Sequence, residues 1–343
     1  MPESPDGSEL EPLTPREALA LYEDSREQEL AEQTLQSHGY RIQRFIEWCD
    51  EEAGITNMND VGGRDVQRFK IWRSDQVSTT TLKSNLDTLR VWIRFCEGID
   101  AVVDGVAESI KSPSLDGGKL EQDIVPEETA SKILAYLSQY EYATVEHVVF
   151  RLLWETGCRA GTLHGLDMDD DVHLSGEYLE AVHRPETGTP LKNQSNGERA
   201  IAISTRTCNI LSDYIDQHRW DRTDDHGRVP LITSRHGRCT VNTLRCYAYR
   251  ATRPCQYGMD CPQDRDPEDC EAVKSRMTAS KCPDSAGTHA LRRGAITHYL
   301  DSDIPADVIS DRLDVQKRTL EEVYDYRNET QKMELRREYF DDL

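Results

Sequence analysis

Residues 152–170 have the sequence LLWETGCRAGTLHGLDMDD, in which an apolar run ends at a glycine and an arginine follows. Apolar residues recur at helical spacing from Val145 to Leu153, and the pattern stops at Gly157. An arginine at a helix end is by default a solvated charge, so Arg159 alone indicates little. The stretch predicts a buried helix, a sharp turn with Arg159, and a second short helix.

Two later segments carry further side chains suited to chemistry. Residues 288–300 (THALRRGAITHYL) begin a helix in which His289 and Arg292 share one face, because they are three positions apart. Residues 309–324 (ISDRLDVQKRTLEEVY) end at Tyr324, which alone would be a half-buried aromatic residue. Each residue is weak evidence singly, and only their order along the chain makes them informative.

Taken together, the three segments resemble the first arginine box, the His-x-x-Arg box and the nucleophile box of tyrosine recombinases of the phage-integrase type. The resemblance spans nearly the whole chain, since a small helical domain and a linker precede the boxes. It implies a site-specific recombinase or integrase that breaks and rejoins DNA through a 3′-phosphotyrosyl intermediate, without ATP. It also implies that two domains wrap double-stranded DNA as a C, and that a homo-tetramer acts on paired DNA sites.

The chemistry of such a reaction explains the residue types. Arginine forks bind phosphate oxygens bidentately and stay charged, so Arg159 and Arg292 are expected to stabilise the extra negative charge of the pentacoordinate state. The Tyr324 hydroxyl, with a pKa of about 10 when unperturbed, needs help to lose its proton. His289 can serve in general acid/base transfer at neutral pH. We therefore expect Tyr324 to be the nucleophile, with Tyr326 as the alternative.

The resemblance also implies a lysine on a β-hairpin that protonates the leaving 5′-oxygen. The hairpin is predicted at 182–203, and Lys192 is its only lysine. Counting back from Arg199 puts the usual lysine position on Gln194. Lys192 can therefore take this role only if the hairpin differs in length from the family pattern by two residues. The alternative is a solvated lysine at a loop tip.

Two positions depart from the family pattern. Thr162 stands where a glutamate usually follows the first arginine. Val315 stands where a histidine or tryptophan usually binds the phosphate, and valine cannot donate a hydrogen bond. Either His298 or another donor substitutes, or the site works with fewer phosphate ligands.

The chain is predicted to be mainly α. A small helical N-terminal DNA-clamping domain precedes an α+β catalytic domain with a small antiparallel sheet. The predicted boundaries are an acidic tail at 1–12, a helical domain at 13–104, a linker at 105–124 and the catalytic domain at 125–343. Thr14-Pro15-Arg16-Glu17 is a capping-box sequence that predicts the first helix start.

The charge is unusual for a protein that binds DNA. Sixty-three acidic residues against 41 basic ones give a net charge of −22, where a basic balance is typical. Thirty-one Arg against ten Lys, many acids and low hydropathy resemble proteins of salt-loving archaea, because in molar salt the Debye length falls to about 3 Å. Neither a membrane span nor a signal peptide is indicated, so a soluble cytoplasmic protein is expected.

Four of the ten cysteines lie close together, at Cys255, Cys261, Cys270 and Cys282. They fall in an apparent insertion at 255–282, between the hairpin and His289. In a reducing compartment four close thiolates suggest a structural tetrahedral Zn site, although no CxxC knuckle is present. Disulfides or free thiols are the alternatives, and catalysis itself requires no cofactor.

DNA contacts outside the catalytic residues are predicted on the helix at 241–253, which carries Arg245, Arg250 and Arg253. A solvated basic face is the alternative. Two other functions remain open: a catalytically weak or dead DNA-binding protein of this fold, favoured by Val315, and type IB topoisomerase-like strand relaxation. The helix near residues 331–340 is expected to dock on a neighbouring subunit or on its own domain.

Overall fold

The computed structural model describes residues 10–114, 124–302, 304–320 and 333. Their contacts separate into two units, Met1–Gly118 and Lys119–Leu343. The boundary falls inside the segment 105–124 that was predicted as a linker, of which residues 115–123 lie outside the described residues. Each unit has its own apolar core.

The N-terminal unit is helical, as predicted. Its first helix begins at the predicted capping box, in which Thr14 Oγ1 accepts from the Glu17 amide at 3.3 Å and the Glu17 carboxylate accepts from the Thr14 amide at 3.0 Å. Phe45 packs edge-on against Phe69 and Trp92 in the core, with ring centroids 5.1 and 5.9 Å apart. The helices over residues 10–114 are α1 (Pro15–Arg26), α2 (Glu32–Trp48), α3 (Gly63–Ser74), α4 (Thr79–Glu97) and α5 (Val106–Ser109).

The edges of this unit differ from the predicted boundaries. Leu10, expected in the acidic tail, is buried, and the Glu11 amide donates to the Asp100 carbonyl at 3.0 Å. At the other end α5, inside the predicted linker, buries Val106 and Ala107 in the same core. A helix of four residues is too short to show a periodic pattern, which is why the sequence did not reveal it.

The C-terminal unit is built around one buried helix. Helix α7 begins at the Thr144 cap, packs against several other helices, and is covered along most of its length. It ends at Gly157, whose φ of 57° is a left-handed conformation that favours glycine. The helices of this unit, over its described residues, are α6 (Glu127–Tyr140), α7 (Val145–Thr156), α8 (Ala160–Gly165), α9 (Met168–Asp171), α10 (Thr205–Gln217), α11 (Val241–Thr252), α12 (Glu271–Lys274), α13 (Thr288–Asp301), α14 (Ala306–Leu313) and α15 (Lys317–Thr319).

A small antiparallel sheet accompanies these helices, as predicted. Strands β1 (Val172–His173), β2 (Tyr178–Ala181) and β3 (Arg199–Ala202) pair in that order, with Tyr178 opposite Ala202 and Ala181 opposite Arg199. A second hairpin joins β4 (Thr233–Ser234) to β5 (Gly237–Arg238). Helices dominate and the sheet is minor, so the fold class is mainly α. Among the helices described, none has the length and apolar character that a bilayer crossing requires.

Candidate active site

Arg159 is presented by the sharp turn between α7 and α8. It is the N-terminal cap residue of α8 and follows the left-handed Gly157 by two positions. Its guanidinium Nη1 donates to Asp314 Oδ2 at 2.6 Å, and about a quarter of its side chain (27%) is exposed to solvent. The turn therefore holds the arginine at the surface of a packed structure, against a carboxylate from the far end of the chain.

Arg292 lies on α13 and is almost completely buried, with 4% of the residue exposed. Its two terminal nitrogens donate to the carbonyls of Gly157 and Leu313, each at 2.8 Å. A buried guanidinium stays charged and must be satisfied by acceptors. Arg292 thus ties three segments together: the end of α7, its own helix, and the end of α14.

Asp314 joins a further segment to this arrangement. It follows α14 in a left-handed conformation, with φ 51° and ψ 60°, which aspartate tolerates better than most residues. Its second oxygen accepts from Asn193 Nδ2 at 2.6 Å, which brings in the loop that also carries Lys192. Gly197 in the same loop is in close contact, since a Cβ there would lie 3.3 Å from Asp314 Oδ2.

His289 lies in the first turn of α13 and is exposed at the surface. Partial desolvation lowers the pKa of its imidazole, and the positive charges of Arg293, Arg292, Lys192 and Arg159 lower it further. Such an effect requires these cations to lie near the ring. The structure thus brings four residues singled out by the sequence, Arg159, Lys192, His289 and Arg292, into one electrostatic neighbourhood.

The predicted nucleophile lies outside the described residues. This applies to Tyr324 and Tyr326 alike, and to the predicted helix at 331–340 apart from Met333. The last continuous described stretch reaches Leu320, a buried residue that packs with Leu313 and Ile309 in a small apolar cluster.

The two departures from the family pattern have structural counterparts. Val315 packs on that apolar cluster, and its amide donates to the Ser310 carbonyl at 3.2 Å. His298, suggested as a substitute donor, lies 3.3 Å from Glu127 and stacks on Trp154. Thr162 is buried in α8. The contacts of Val315 and His298 are therefore with residues other than Arg159 and Asp314.

Sequence reasoning missed Asp314, Asn193 and Arg199. Arg199 is half-buried and donates to the carbonyls of Arg312 at 2.8 Å and Gly197 at 2.7 Å, which ties β3 to α14 and the Lys192 loop. The contacts of Arg199 with Arg312 and of Asp314 with Asn193 and Arg159 join residues more than one hundred positions apart. A local sequence pattern carries no signal for them, except that a short polar residue is suited to the left-handed turn at 314.

The three arginines predicted to contact DNA have different surroundings. Arg245 is exposed on α11. Arg250 pairs with Glu141 at 3.1 Å and with Glu146 at 3.0 Å. Arg253 is buried and donates to the Ala272 carbonyl and the Gln256 side chain. Arg253 is thus buried with both terminal nitrogens bonded within the protein, and Arg250 already pairs with two carboxylates, whereas Arg245 is the exposed one of the three.

The four clustered cysteines are not joined by disulfides in the structure, are partly exposed, and line one small cavity. Among the residues that the structure describes, no group of three or more His, Cys, Asp or Glu side chains is already arranged to hold a metal ion.

Comparison with known proteins gives two sequence matches. Residues 23–97 match the family model described as phage integrase, N-terminal SAM-like domain. The tyrosine recombinase XerD of Mycobacterium tuberculosis is 24% identical over 316 residues, which cover 87% of this chain and 88% of that protein.

Solved structures extend the likeness to the whole fold. The Tn1549 transposon integrase in complex with a circular intermediate DNA has a TM-score of 0.67 at 12% identity, covering 95% of this chain and 99% of that one. A lambda integrase tetramer bound to a Holliday junction has a TM-score of 0.59 at 15% identity, covering 89% and 78%. At such identities the structures establish a shared fold. The domain match and the recombinase XerD support a tyrosine-type site-specific recombinase, and the solved structures establish the shared fold.

Proposed function

We propose that this chain is a site-specific recombinase or integrase that cuts one DNA strand with Tyr324 and later rejoins it. The observation that carries the proposal is the convergence of Arg159, Lys192, His289 and Arg292 from three separate segments, the last two residues both lying on α13. Unrelated surface cations would repel one another, and a cluster of three guanidinium or ammonium groups around an imidazole is suited to an anionic substrate such as a phosphodiester.

In the proposed reaction the Tyr324 oxygen attacks phosphorus and the bond from phosphorus to the 5′-oxygen breaks. The phosphate stays attached to the tyrosine as a 3′-phosphotyrosyl ester, and the 5′-hydroxyl leaves with a proton from Lys192. A second 5′-hydroxyl then attacks the ester and releases the tyrosine. Each step exchanges one phosphate ester for another, so no ATP is consumed.

The surrounding groups have separate roles in this proposal. Arg159 and Arg292 stabilise the charge that grows on the nonbridging oxygens. The lowered pKa of His289 keeps its ring neutral at pH 7, so it can accept the tyrosine proton. Arg292 also holds the turns that carry Arg159 and Leu313, which fixes the distance between the segments.

Double-stranded DNA is the proposed partner, and a homo-tetramer on two paired sites is the proposed active assembly. The lambda integrase tetramer on a Holliday junction, which has the same fold, supports that assembly. The exposed Arg245 is the remaining candidate on α11 for a contact to the DNA backbone.

A nicked DNA substrate tests the proposal. Cleavage next to a nick releases a short 5′-hydroxyl fragment, which diffuses away and leaves the protein covalently attached. Because the target sequence is unidentified, the probe is a pool of randomly nicked genomic fragments from the source organism. We expect covalent complexes with the natural protein and with Tyr326→Phe, and none with Tyr324→Phe, although all three bind DNA. Covalent complexes with Tyr324→Phe would contradict the assignment.

A catalytically weak or dead protein of the same fold is the second candidate. Val315, packed on apolar neighbours, and the carboxylate that pairs with Arg159 favour it. Binding to specific fragments without any covalent complex would support this candidate. Relaxation of supercoiled plasmid by the protein without exchange between paired sites would instead indicate an activity like that of type IB topoisomerases.

A further inference from the structure

The segment between α11 and α13 has almost no apolar core. Over residues 254–286, a stretch described throughout, Ala272 and Ala279 are the only fully buried residues. Its regular structure consists of α12 and two short 3₁₀ turns, Pro254–Tyr257 and Arg276–Lys281. Ordering a backbone costs about 1–2 kcal/mol per residue, and two alanine side chains cannot offset that cost. Another interaction must hold this segment.

The cysteines are the residues that turn inward. Over 258–271, again fully described, every residue is exposed except Cys261 and Cys270. Cys255 and Cys282 are likewise partly buried. In a segment where proline, aspartate and lysine face the solvent, a shared inward orientation of the thiols indicates a common role.

All four thiol residues line a single cavity of about 20 Å³, together with Arg253 and Ala272. A space of that size holds about one water molecule, so it suits a single ion and leaves no room for a cluster with inorganic sulfide. The four thiol side chains therefore share one enclosed space.

We propose that Cys255, Cys261, Cys270 and Cys282 bind one Zn²⁺ ion that holds the segment 254–286 together. Each thiol loses its proton and donates a thiolate lone pair, so four protons are released for each ion bound. No such group of ligands is preformed among the described residues, so the proposal requires the four side chains to rearrange around the ion. Four thiolates fill a tetrahedral shell and leave no position for water or phosphate, which makes the site structural.

The proposed site lies between two elements of the candidate active site. Cys255 follows the end of α11, where Arg253 donates to the Ala272 carbonyl across the segment. Cys282 precedes α13, and the Ala286 amide and carbonyl both bond to Thr252 Oγ1, at 2.8 and 3.0 Å. The ion would therefore link the end of α11 to the start of the helix that carries His289 and Arg292.

The test is metal analysis of the full chain purified under reducing conditions without chelators. We expect close to one Zn per chain, release of that Zn by a mercurial reagent that titrates thiols, and loss of Zn in the Cys261→Ser, Cys270→Ser double variant. Cys96→Ala and Cys208→Ala, which change buried cysteines outside the segment, serve as controls and should keep the metal. These measurements do not require recombinase activity, so they stand or fall separately from the proposed function.

A further variant separates zinc from a disulfide. Histidine can replace cysteine as a zinc ligand but cannot form a disulfide, so Cys261→His should retain most of the metal. Protease digestion should cut the segment more readily after chelation and in the double variant than in the natural protein. Absence of Zn with all four thiols alkylated in the native protein, or two disulfides found by mass spectrometry, would overturn the proposal. Iron in place of Zn would keep the site and overturn the identity of the ion.

Discussion

Asp314 holds the guanidinium that the proposed reaction assigns to a phosphate oxygen. The carboxylate accepts from Arg159 at 2.6 Å and from Asn193 at 2.6 Å, and only 12% of its side chain is exposed. Carboxylate and phosphate oxygens accept from the same N–H groups of an arginine fork. A phosphodiester that reaches Arg159 must therefore compete with Asp314.

Replacing this carboxylate should speed DNA cleavage. In Asp314→Asn the charge is lost and the shape is kept, so Arg159 gains freedom to bind the phosphate. A hydrogen bond to a charged group contributes about 1.5–3 kcal/mol, which corresponds to a rate increase of roughly 10- to 10²-fold. Single-turnover cleavage of a nicked substrate measures it, with Arg159→Ala as the reference for a lost arginine, expected to cost about 10²-fold. If Asp314→Asn slows cleavage as much as Arg159→Ala does, Asp314 orients the arginine and does not restrain it.

His289 leads to a prediction about pH. Desolvation and the nearby cations lower the pKa of its imidazole, so the neutral ring persists to a lower pH than for a free histidine, whose pKa is about 6.5. A step that needs neutral His289 should stay fast as pH falls through 6.5 and slow only at lower pH. The measurement is the single-turnover cleavage rate as a function of pH. The His289→Gln variant should cleave slowly at every pH and should not show the fall in rate at low pH. If the cleavage rate instead falls with an apparent pKa above 6.5, and this fall is absent from His289→Gln, the ring must have an anionic neighbour.

Among the individual residues of the site, the sequence allowed the basic side chains to be predicted, but it did not predict the Asp314 carboxylate that pairs with Arg159. Arg159, His289 and Arg292 were found because their spacing resembles a family pattern. Asp314 was missed because its role depends on a left-handed turn that meets Asn193 across 121 positions of sequence. The resemblance singled out Val315, whereas the carboxylate that contacts Arg159 belongs to the preceding residue, Asp314.

Among the elements, the predicted helices and the hairpin could be derived because their patterns are long enough to recognise. Strand β2 alternates partly and fully buried positions over four residues, and in β3 the buried Ile201 lies between two exposed alanines. Strands β1, β4 and β5 have two residues each, and two residues carry no alternation. Their positions depend on tertiary contacts, above all on a buried network of arginines and aspartates.

That network is centred on Asp167, which is 3% exposed and follows α8. It accepts from Arg228 and Arg238, each at 2.6 Å, and Arg238 also contacts Asp224 on the loop before β4. The ion pairs therefore join the end of α8 to the β4–β5 hairpin.

Removing the central carboxylate should destabilise the C-terminal unit. Asp167→Ala leaves buried guanidinium groups partly unpaired, so the free energy of unfolding should fall by about 3–5 kcal/mol. Chemical denaturation measures the change. Asp169→Ala, two positions along and exposed, is the matched control and should change it by less than about 0.5 kcal/mol. Equal small changes in both variants would show that the network contributes little.

For the whole molecule the strongest sequence property is its charge of −22. An excess of carboxylates repels itself in the folded state, and salt screens that repulsion. We expect the melting temperature to rise steadily with KCl up to molar concentration, as measured by calorimetry. A melting temperature that is unchanged or lower in molar salt would contradict the prediction of a protein suited to high salt.

The central claim is that one tyrosine forms a covalent bond to DNA, and identifying the modified residue tests it most directly. After cleavage of the nicked pool, nuclease digestion leaves a nucleotide attached to the protein, and trypsin releases the peptide 319–327, which contains Tyr324 and Tyr326. Fragmentation in a mass spectrometer then distinguishes the two. We predict a 3′-linked nucleotide on Tyr324, absent from Tyr324→Phe. A nucleotide on Tyr326, on a serine or on no residue at all would contradict the account.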